Sequence, residues 1–407
     1  MCSAMGGKGA SEPGAPRTVK LSKALERTLR SGHPWVYRDA LVDPEAMEAG
    51  EELRLLDRKG RPLGRGIADG GDAIGLRLWL LRDGPIDAEL VERRLRRAIG
   101  LRAAMRPPET TALRLVHGEG DGCPGFVIDE YGLIDGPKVA VLRLDGVGAA
   151  AFFERVRDPV LGLLQDLGYE GLLLRRDRRS GEGPALAFGD VPRGRVRVLE
   201  RGMILVGDLW EGQKTGLFLD HRESRHRVRE LARGRRVLNL YAYTGGFSVA
   251  AGLGGASTVT SVDVAPEAIA LADETWVAND LDPERHQGVT EDARDFLARD
   301  RERYELVISD PPSFAPRESA VPSALSAYEG LHASCLERLV PGGLYLAGSC
   351  SSHVDAAMFH ETLANASAEV GRRIQILERC GAPFDHPRLA AFPEGDYLKV
   401  VLARALD

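Results

Sequence analysis

The sequence predicts an α/β protein whose C-terminal part forms an open, mostly parallel sheet with helices on both faces. Three observations predict this class. Strand-like and helical patterns take turns after about residue 190, short alternating apolar segments fill the N-terminal region, and 43% of the 407 residues are apolar. This length and composition suit two or three domains with buried cores, so disorder is not expected to be the main state.

The N-terminal region divides into a tail and a small β-rich domain. Residues 1–16 mix Gly, Ala, Pro and Ser without periodicity, which predicts a disordered tail. Residues 17–84 contain short alternating segments, such as 52–57 and 74–79, separated by turns that contain Gly or Pro. This pattern predicts a small domain built mainly of strands.

A connector helix and a second module are expected over residues 85–190. Apolar side chains recur at intervals of three and four residues before Pro107, namely at Val91, Leu95, Ala98, Leu101 and Met105. Alternating segments at 113–116 and 126–128 then flank a glycine-rich turn. The region is interpreted as one amphipathic helix followed by a small α+β module.

Residues 191–407 are expected to form the largest domain. A hairpin is predicted from residues 195–199 against residues 203–206. Further strands are predicted at 237–241, 258–263, 306–309, 343–347, 374–377 and 397–402, with helices between them, as at 266–279 and 354–370. In an open parallel sheet the ligand lies beyond the carboxyl ends of the strands, so functional residues are sought there.

Charge and cysteine content limit the classes of function. The formal net charge is −6, so a nucleic-acid surface must be a local patch. The five cysteines are scattered and form no CxxC pair, so we expect neither a disulfide framework nor a metal site. No apolar run reaches the ~18 residues of a membrane span, and the N-terminus lacks the apolar stretch of a signal peptide. We therefore expect a protein of the reducing cytoplasm with no membrane association.

Four successive strands of this sheet, counting one before Asp292 for which the pattern gives no bounds, end in groups suited to a nucleoside. Gly245 and Gly246 stand where the first strand turns into a helix, where backbone can approach a ligand, although both could equally serve packing. Asp263 ends the next strand and can accept hydrogen bonds from ribose hydroxyls. Asp292 is expected to follow a third strand and to meet an adenine amine, and Asp310 ends the fourth.

The turn after the first strand lacks a phosphate-binding motif, and this indicates the type of nucleoside. The GxGxxG run that holds a pyrophosphate in dinucleotide enzymes is missing, which favours a nucleoside without a diphosphate, such as S-adenosylmethionine (SAM). The candidate cofactor-binding residues are Asn239, Tyr241, Tyr243, Thr244, Gly245, Asp263, Asp292, Asp310 and Lys214.

Four stretches of the sequence resemble a known family. They are SGHPWVY at 31–37, GEGDGCPG at 118–125, QKTGLFLDHR at 213–222, and DPP at 310–312 together with SCS at 349–351. In this order they are similar to class I SAM-dependent methyltransferases, and more narrowly to bacterial enzymes that methylate carbon-5 of cytosine in large-subunit ribosomal RNA.

The resemblance extends from about residue 18 to the end and implies a role for each part of the chain. It implies an RNA-binding PUA fold for residues 17–84, the small α+β insert for 85–190 and a seven-stranded methyltransferase sheet for 191–407. It also implies that SAM is the cofactor and ribosomal RNA the partner, and relatives suggest a homodimer.

The implied chemistry needs a nucleophile. Carbon-5 of cytosine reacts poorly unless a thiolate adds to carbon 6 and converts the ring to an enamine. Cys350 is the candidate because it follows the fifth strand in a polar loop. A different interpretation, that of a small buried hydrophobic side chain (the small-hydrophobe interpretation), applies to Cys123, Cys335 and Cys380. Asp310 is expected to hold the edge of the base, and Ser313 departs from the family pattern, which often has a lysine there.

Basic residues predict where RNA binds. A basic stripe around Trp35 and Tyr37 suits phosphate contact and is represented by Lys20, Lys23, Arg27, Arg30 and Arg38. A second basic run at 221–236 adds Arg222 and Arg225. Trp35 itself is expected in the core of the small domain. Lys214 suits either the cofactor carboxylate or RNA, and the sequence leaves both alternatives open.

Two rival functions remain open. The segment 215–222 is also similar to methyltransferases that modify guanine N7 in ribosomal RNA, which need no thiol nucleophile. A second rival is a PUA-bearing assembly factor with a vestigial methyltransferase fold, for which SAM binding would be absent.

Overall fold

A computed structural model describes residues 16–71, 73–175 and 183–407. Residues 1–15 of the expected tail lie outside this described part of the chain. The described strands assemble, in chain order, into two five-stranded sheets, a two-stranded ribbon and a seven-stranded sheet. In the residues that the structure describes, no helix combines the length and the apolar character needed to cross a membrane.

The first sheet forms the small N-terminal domain. Its elements are β1 (Arg17–Lys20), α1 (Glu26–Arg30), β2 (Trp35–Tyr37), β3 (Glu52–Leu56), β4 (Pro62–Ala68) and β5 (Ile74–Leu80). The strand order is β1-β3-β4-β5-β2, and β1 pairs parallel with β3. Leu53 and Leu55 are completely buried, so alternate residues of β3 face the core as the sequence pattern predicts.

The second sheet forms a central α+β module. Its elements are α2 (Ala88–Met105), β6 (Ala112–His117), β7 (Phe126–Gly132), β8 (Lys138–Leu144), α3 (Val147–Arg155), α4 (Arg157–Asp166), β9 (Gly171–Arg175) and β10 (Ala185–Gly189). The strand order is β10-β9-β8-β7-β6. The connector helix α2 is capped at its N-terminus by Asp87, whose carboxylate accepts the Leu90 N–H at 2.8 Å, and the helix ends before Pro107.

A hairpin of β11 (Arg195–Glu200) and β12 (Met203–Asp208) leads into the C-terminal domain. The helices of that domain are α5 (Arg222–Leu231), α6 (Gly246–Leu253), α7 (Pro266–Ala278), α8 (Ala293–Arg299), α9 (Val321–Glu337) and α10 (Ala356–Glu369). Its strands are β13 (Arg236–Leu240), β14 (Thr258–Asp263), β15 (His286–Thr290), β16 (Tyr304–Ser309), β17 (Leu339–Ser349), β18 (Ile374–Cys380) and β19 (Lys399–Ala405).

The seven strands have the order β15-β14-β13-β16-β17-β19-β18. The first five in this order run parallel, and β19 is antiparallel to both of its neighbours. The predicted α/β class with a mostly parallel C-terminal sheet is confirmed. The sequence pattern gave no bounds for β15, because HQGVT contains a single large apolar side chain and its residues lie half-exposed or exposed at the sheet edge.

Trp35 was expected in the core of the small domain, and this expectation is wrong. The indole is half-buried, meets the Phe392 ring edge-on at a centroid distance of 4.6 Å, and donates from Nε1 to Glu119 at 2.7 Å. Phe392 lies between β18 and β19, and Glu119 lies in the turn after β6. Trp35 therefore joins the small domain to both later parts of the chain.

Candidate active site

The carboxyl ends of the parallel strands open into a cleft with a cavity volume of about 350 Å³. The cleft lies where β13 separates β14 on one side from β16 on the other, which is the usual ligand site of a doubly wound sheet. Of the candidate residues, the cleft is lined by Lys214, Tyr241, Tyr243, Thr244, Asp263, Asp292, Asp310 and Cys350. The structure thus brings seven of the nine expected cofactor residues together with the expected nucleophile.

The turn after β13 shapes one wall of this cleft. Tyr241 and Tyr243 have φ angles of +59° and +46°, a left-handed conformation that costs on the order of 1–3 kcal/mol for residues with side chains. The N–H of Tyr243 donates to Asp263 Oδ2 at 2.9 Å, and the N–H of Ala265 donates to Oδ1 at 3.0 Å. The turn and the end of β14 are therefore fixed against each other, with the Asp263 carboxylate at the cleft.

Asn239 and Gly245 are set back from the cleft. Asn239 is 1% exposed and donates from Nδ2 to Ser248 Oγ at 2.8 Å, so it ties β13 to α6. Gly245 has a φ of +74°, and a Cβ at this position would lie 2.7 Å from the Cβ of Ala272 on α7. Both residues therefore act in packing and backbone geometry, and the neighbouring Gly246 lines the cleft instead.

Asp292 lies at the N-terminus of α8. Its Oδ1 accepts the N–H of Arg294 at 2.8 Å, which caps the helix. The residue is exposed and lines the cleft, as does the exposed side chain of Val264. Its carboxylate and this apolar surface can meet a planar, hydrogen-bonding group such as a nucleobase.

Lys214 belongs to a charged cluster that also lines the cleft. Its Nζ donates to Asp220 Oδ2 at 2.6 Å, and the Tyr397 hydroxyl donates to the same oxygen at 2.7 Å. Burial by itself would raise the pKa of Asp220, but the charge of Lys214 holds it well below its usual value. Among the described residues, the buried Oδ1 of Asp220 has no hydrogen-bond partner. The cluster keeps an ionised carboxylate and an ammonium group beside the cleft.

Asp310 contacts a histidine that the sequence analysis did not single out. Nε2 of His221 lies 3.0 Å from Asp310 Oδ2, and both side chains line the cleft. Gly348 on β17 leaves room for this carboxylate, because a Cβ there would lie 2.6 Å from Asp310 Oδ1. His221 stands inside the stretch 213–222, so the motif contained the signal, but nothing local indicated its partner.

Cys350 follows β17 and presents its thiol to the cleft. Sγ lies 3.9 Å from the carbonyl oxygen of Pro311. Burial raises the pKa of the thiol and the charge of Asp310 raises it further, whereas Lys214 and Lys399 oppose the shift. Burial also lowers the pKa of Lys399, another residue that sequence reasoning missed, to about 8.

The remaining described cysteines differ from Cys350. Cys123 and Cys335 are completely buried, and burial raises the pKa of each to about 12, in keeping with the small-hydrophobe interpretation. Cys380 is exposed at the end of β18, so its expected burial is wrong. An edge strand leaves its outer side chains in solvent.

The expected RNA contacts at Arg222 and Arg225 must be corrected. Arg222 is completely buried and pairs in a bidentate manner with Asp385, with distances of 2.7 and 2.9 Å. Arg225 is also buried and makes two hydrogen bonds of 2.6 Å with Glu200. Both guanidinium groups are committed to internal carboxylates, so neither is presented to an RNA surface.

The N-terminal basic residues are placed differently. Arg38 is half-buried and pairs with Glu45 at 2.8 Å, whereas the other candidates are exposed, namely Lys20, Lys23, Arg27 and Arg30. Arg27 and Arg30 line a surface hollow of about 700 Å³. The turn between β3 and β4 adds Arg58, Lys59 and Arg61 to the same hollow. The RKGR run of this turn is visible in the sequence, but the predicted basic stripe did not include it.

These features define a Rossmann-like enzyme that binds a nucleoside cofactor without a diphosphate loop. Residues 172–403 match the sequence profile of the S-adenosylmethionine-dependent methyltransferases, and residues 19–80 match that of the PUA-like domain. The chain belongs to the SAM-dependent methyltransferase family, and the expected cofactor and enzyme class are confirmed. When bound, SAM supplies a methyl group carried on a positively charged sulfur.

Two relatives match the sequence of this chain over nearly its full length. The ribosomal RNA large subunit methyltransferase I of Klebsiella pneumoniae is 34% identical over 404 residues, which cover 96% of this chain and 98% of the relative. The protein of the same name from Salmonella arizonae is 34% identical over 97% of this chain and 98% of its own length.

Two solved structures share the fold. A protein from Streptococcus mutans, described as a candidate SAM-dependent methyltransferase, has a TM-score of 0.83 at 24% identity and covers 95% of this chain and 100% of its own. The structure of SMU.776 complexed with SAH (S-adenosylhomocysteine) has a TM-score of 0.82 at 24% identity, over 96% of this chain and 99% of its own. Within residues 16–71, 73–175 and 183–407 of this chain, no group of three or more His, Cys, Asp or Glu side chains is arranged to hold a metal ion.

Proposed function

We propose that the protein transfers a methyl group from SAM to carbon-5 of a cytosine in large-subunit ribosomal RNA through a covalent adduct with Cys350. One observation carries this proposal: the Cys350 thiol lines the same cleft as Asp263, Asp292 and Asp310. The names of the 34% identical relatives support large-subunit ribosomal RNA as the substrate.

The adduct makes an unreactive carbon nucleophilic. The Cys350 thiolate forms a bond to carbon 6, the displaced electron pair makes carbon 5 of the ring nucleophilic, and N3 takes up a proton. After carbon 5 has received the methyl group, its proton leaves to a base or a water, N3 gives back the proton that it took up, the double bond forms again and the thiolate is expelled. A neutral, raised-pKa thiol reacts slowly, so Lys214 and Lys399 assist by favouring its ionised form.

Each remaining residue of the cleft has a proposed task. Asp310 holds the amine edge of cytosine and favours the protonated adduct. The Asp263 carboxylate binds the ribose hydroxyls of SAM, and Asp292 binds its adenine amine. Lys214 faces the carboxylate of the cofactor, because its ammonium group already lies at the cleft wall.

The PUA-like domain supplies the RNA contact. The hollow is lined by five cationic residues, Arg27, Arg30, Arg58, Lys59 and Arg61, and by one acid, Glu26, which pairs with Arg58. The remaining positive charge suits phosphate groups, which attract clustered cations without regard to base sequence. We place the reaction in the cytoplasm. The two five-stranded sheets and the seven-stranded sheet support a division into an RNA-binding domain at 17–84, a central module at 85–190 and a catalytic domain at 191–407.

The decisive experiment maps methyl groups in ribosomal RNA by mass spectrometry. RNA from cells that lack the protein is compared with RNA from cells that carry the wild type or Cys350→Ala. We expect one 5-methylcytosine that depends on the wild type and is missing with the variant. A methyl group on a guanine nitrogen would instead establish the guanine-modifying alternative, and an unchanged RNA with no SAM binding would identify an assembly factor.

The covalent step has a separate test. RNA with 5-fluorocytosine at the mapped position cannot release a proton from carbon 5, so the adduct should persist. We expect a stable protein–RNA band in denaturing gels with the wild type and none with Cys350→Ala. Methyl transfer to ordinary RNA by Cys350→Ala would overturn the mechanism.

A further inference from the structure

The loop that carries Lys214 into the cleft has a conformation that needs support. Residues 209–216, called here the Lys214 loop, follow β12 and precede α5, and both Gln213 and Lys214 line the cleft. Lys214 has a φ of +53°, a left-handed conformation that costs about 1–3 kcal/mol for a residue with a side chain. Such backbone persists only where its surroundings fix it.

Arg175, the last residue of β9 in the central module, supplies the first anchor. Its Nη2 donates to the carbonyl of Trp210 at 2.5 Å, and its Nη1 donates to the carbonyls of Gly212 at 2.9 Å and of Lys214. Within the described residues, its hydrogen-bond partners are these carbonyls and not a carboxylate, and burial lowers the pKa of Arg175. One rigid, planar guanidinium group therefore fixes three alternate carbonyls of the Lys214 loop.

The central module supplies a second anchor through β7. The Thr215 hydroxyl donates to Asp129 Oδ2 at 2.5 Å. The Tyr131 hydroxyl lies 2.9 Å from Thr215 Oγ1 and donates to it, because the single hydroxyl proton of Thr215 is already used. Arg114 on β6 holds Asp129 in turn, with 2.5 Å between Nε and Oδ1. All four side chains are buried, so water does not compete with these hydrogen bonds.

Tyr243, which lines the cleft, binds the other side of the same loop through its hydroxyl group. The Tyr243 hydroxyl accepts the N–H of Gln213 at 3.0 Å and donates to the carbonyl of Gly216 at 3.3 Å. Tyr243 belongs to the turn after β13 that also fixes Asp263. Hydrogen bonds therefore hold the Lys214 loop on one side to the central module and on the other side to the turn after β13.

We propose that the central module is a positioning part of the active site, because Arg175 and Asp129 hold the Lys214 loop where Lys214 and Asp220 complete the cofactor-binding surface. Arg175 is a positioning residue, since its contacts are with the backbone of the loop. The inference rests on SAM as the cofactor and is independent of which base or which atom receives the methyl group.

The first test compares Arg175→Met with Arg143→Met. Arg143 is the register partner of Arg175 on the neighbouring strand β8, so the control removes a matched cation from the same module. We expect the Kd of S-adenosylhomocysteine, measured by calorimetry without RNA, to rise at least about tenfold in Arg175→Met and less than about twofold in Arg143→Met. Amide hydrogen exchange over residues 209–216 should accelerate in the first variant alone.

A second pair of variants keeps the proposal testable if Arg175→Met does not fold. Thr215→Val removes the hydroxyl that binds Asp129, and Thr215→Ser retains it. Valine should weaken cofactor binding and serine should restore it to within about threefold. Equal affinity of the valine and serine variants, or a folded Arg175→Met with wild-type affinity and exchange, would overturn the inference.

Steady-state kinetics separate positioning from general stability. Arg175→Met should raise KM for SAM more than it lowers kcat at saturating SAM, and Arg175→Lys should recover part of the loss because one donor group remains. A fall in melting temperature with an unchanged KM would show that Arg175 only joins the two domains. If neither the wild type nor any variant binds S-adenosylhomocysteine, the result contradicts the assignment of SAM as the cofactor rather than the role of Arg175.

Discussion

His221 Nε2 contacts Asp310 Oδ2 at 3.0 Å, and this contact joins the segment before α5 to the end of β16 at the cleft. The imidazole is 4% exposed, whereas the carboxylate keeps 21% of its surface accessible. One oxygen of Asp310 is therefore held from the interior while the side chain still faces the cleft. An imidazole that orients a carboxylate in this way leaves it with a defined direction toward a bound base.

Replacing His221 should reveal this orientation. We expect His221→Leu to lower kcat about 10–100-fold, because a hydrogen bond to a charged group contributes about 1.5–3 kcal/mol. His221→Gln places an amide donor near the position of Nε2 and should stay within about fivefold of the wild type. Single-turnover methylation at saturating SAM measures both rates. Equal activity of the leucine and glutamine variants would show that the contact has no part in turnover.

Cys350→Ala should separate cofactor binding from chemistry. Without the nucleophile, turnover is expected to fall to below about a thousandth of the wild-type rate, with SAM affinity within about twofold. Cys380→Ala is the matched control, since Cys380 is an exposed cysteine on the edge strand. Methylation assays and calorimetry on the same preparations check both quantities. Loss of activity in both variants would point to general damage rather than to a nucleophile.

Gly348→Ala should displace Asp310 without removing any functional group. The new Cβ would lie 2.6 Å from Asp310 Oδ1, closer than nonbonded atoms approach, so the carboxylate must move. A displacement of this size should lower kcat about 100-fold. Gly330→Ala on α9 is the control, because its Cβ meets nothing within 4 Å. This variant should retain activity and gain about 0.5–1 kcal/mol of stability, measured by denaturant unfolding.

The place of the site could be predicted from the sequence because topology determines it. Hydrophobic patterns located most strands of the C-terminal sheet, and parallel strands bring their carboxyl ends to one edge. Residues just beyond those ends, such as Asp263, Asp310 and Cys350, therefore had to lie close together, and all three line the cleft. The bounds of the edge strand β15 were not predicted, because a strand with little burial has no apolar pattern that would reveal it.

The partners of charged residues could not be predicted. A run of arginines shows charge but not burial, and the carboxylate that pairs with Arg222 stands 163 positions away, at Asp385. Asn239 was assigned to the cofactor by its position in a motif, whereas its amide meets Ser248 inside the domain. Such pairings depend on how the finished domains pack, which no local pattern records.

Asp385→Asn should therefore affect stability rather than RNA binding. The variant removes the bidentate counter-charge of the buried Arg222 and leaves only its longer contact with Glu223, 3.3 Å between Nε and Oε1. This loss is expected to cost about 3–5 kcal/mol in the free energy of unfolding. Glu92→Gln on α2 breaks an exposed pair with Arg96 and should change it by less than about 0.5 kcal/mol. Urea unfolding measures both. A small loss in Asp385→Asn would mean that the pair is dispensable.

The same pair predicts how stability depends on pH. Burial by itself would raise the pKa of Asp385, but hydrogen bonds from His386 and Arg222 lower it below its usual value. A carboxylate with a lower pKa in the folded state stabilises the fold fully above its unfolded pKa, about 4, and loses this contribution as the pH falls further. We expect the wild type to lose more stability between pH 5 and 3 than Asp385→Asn. Parallel curves for the two proteins would exclude this contribution.

Arg27 and Arg30 should carry part of the RNA affinity. Removing one cation that neutralises a phosphate reduces the slope of log affinity against log salt by about 0.7–0.9. The double variant Arg27→Gln, Arg30→Gln should therefore bind RNA more weakly at low salt, with a shallower slope and an unchanged Kd for SAM. Arg373→Gln is the control, since Arg373 is 77% exposed and lies just before β18, at the outer edge of the catalytic sheet. Fluorescence anisotropy across a salt series measures the slope. If Arg373→Gln reduces the slope as much as the double variant, RNA is held by charge spread over the whole surface and not by the hollow of the PUA-like domain.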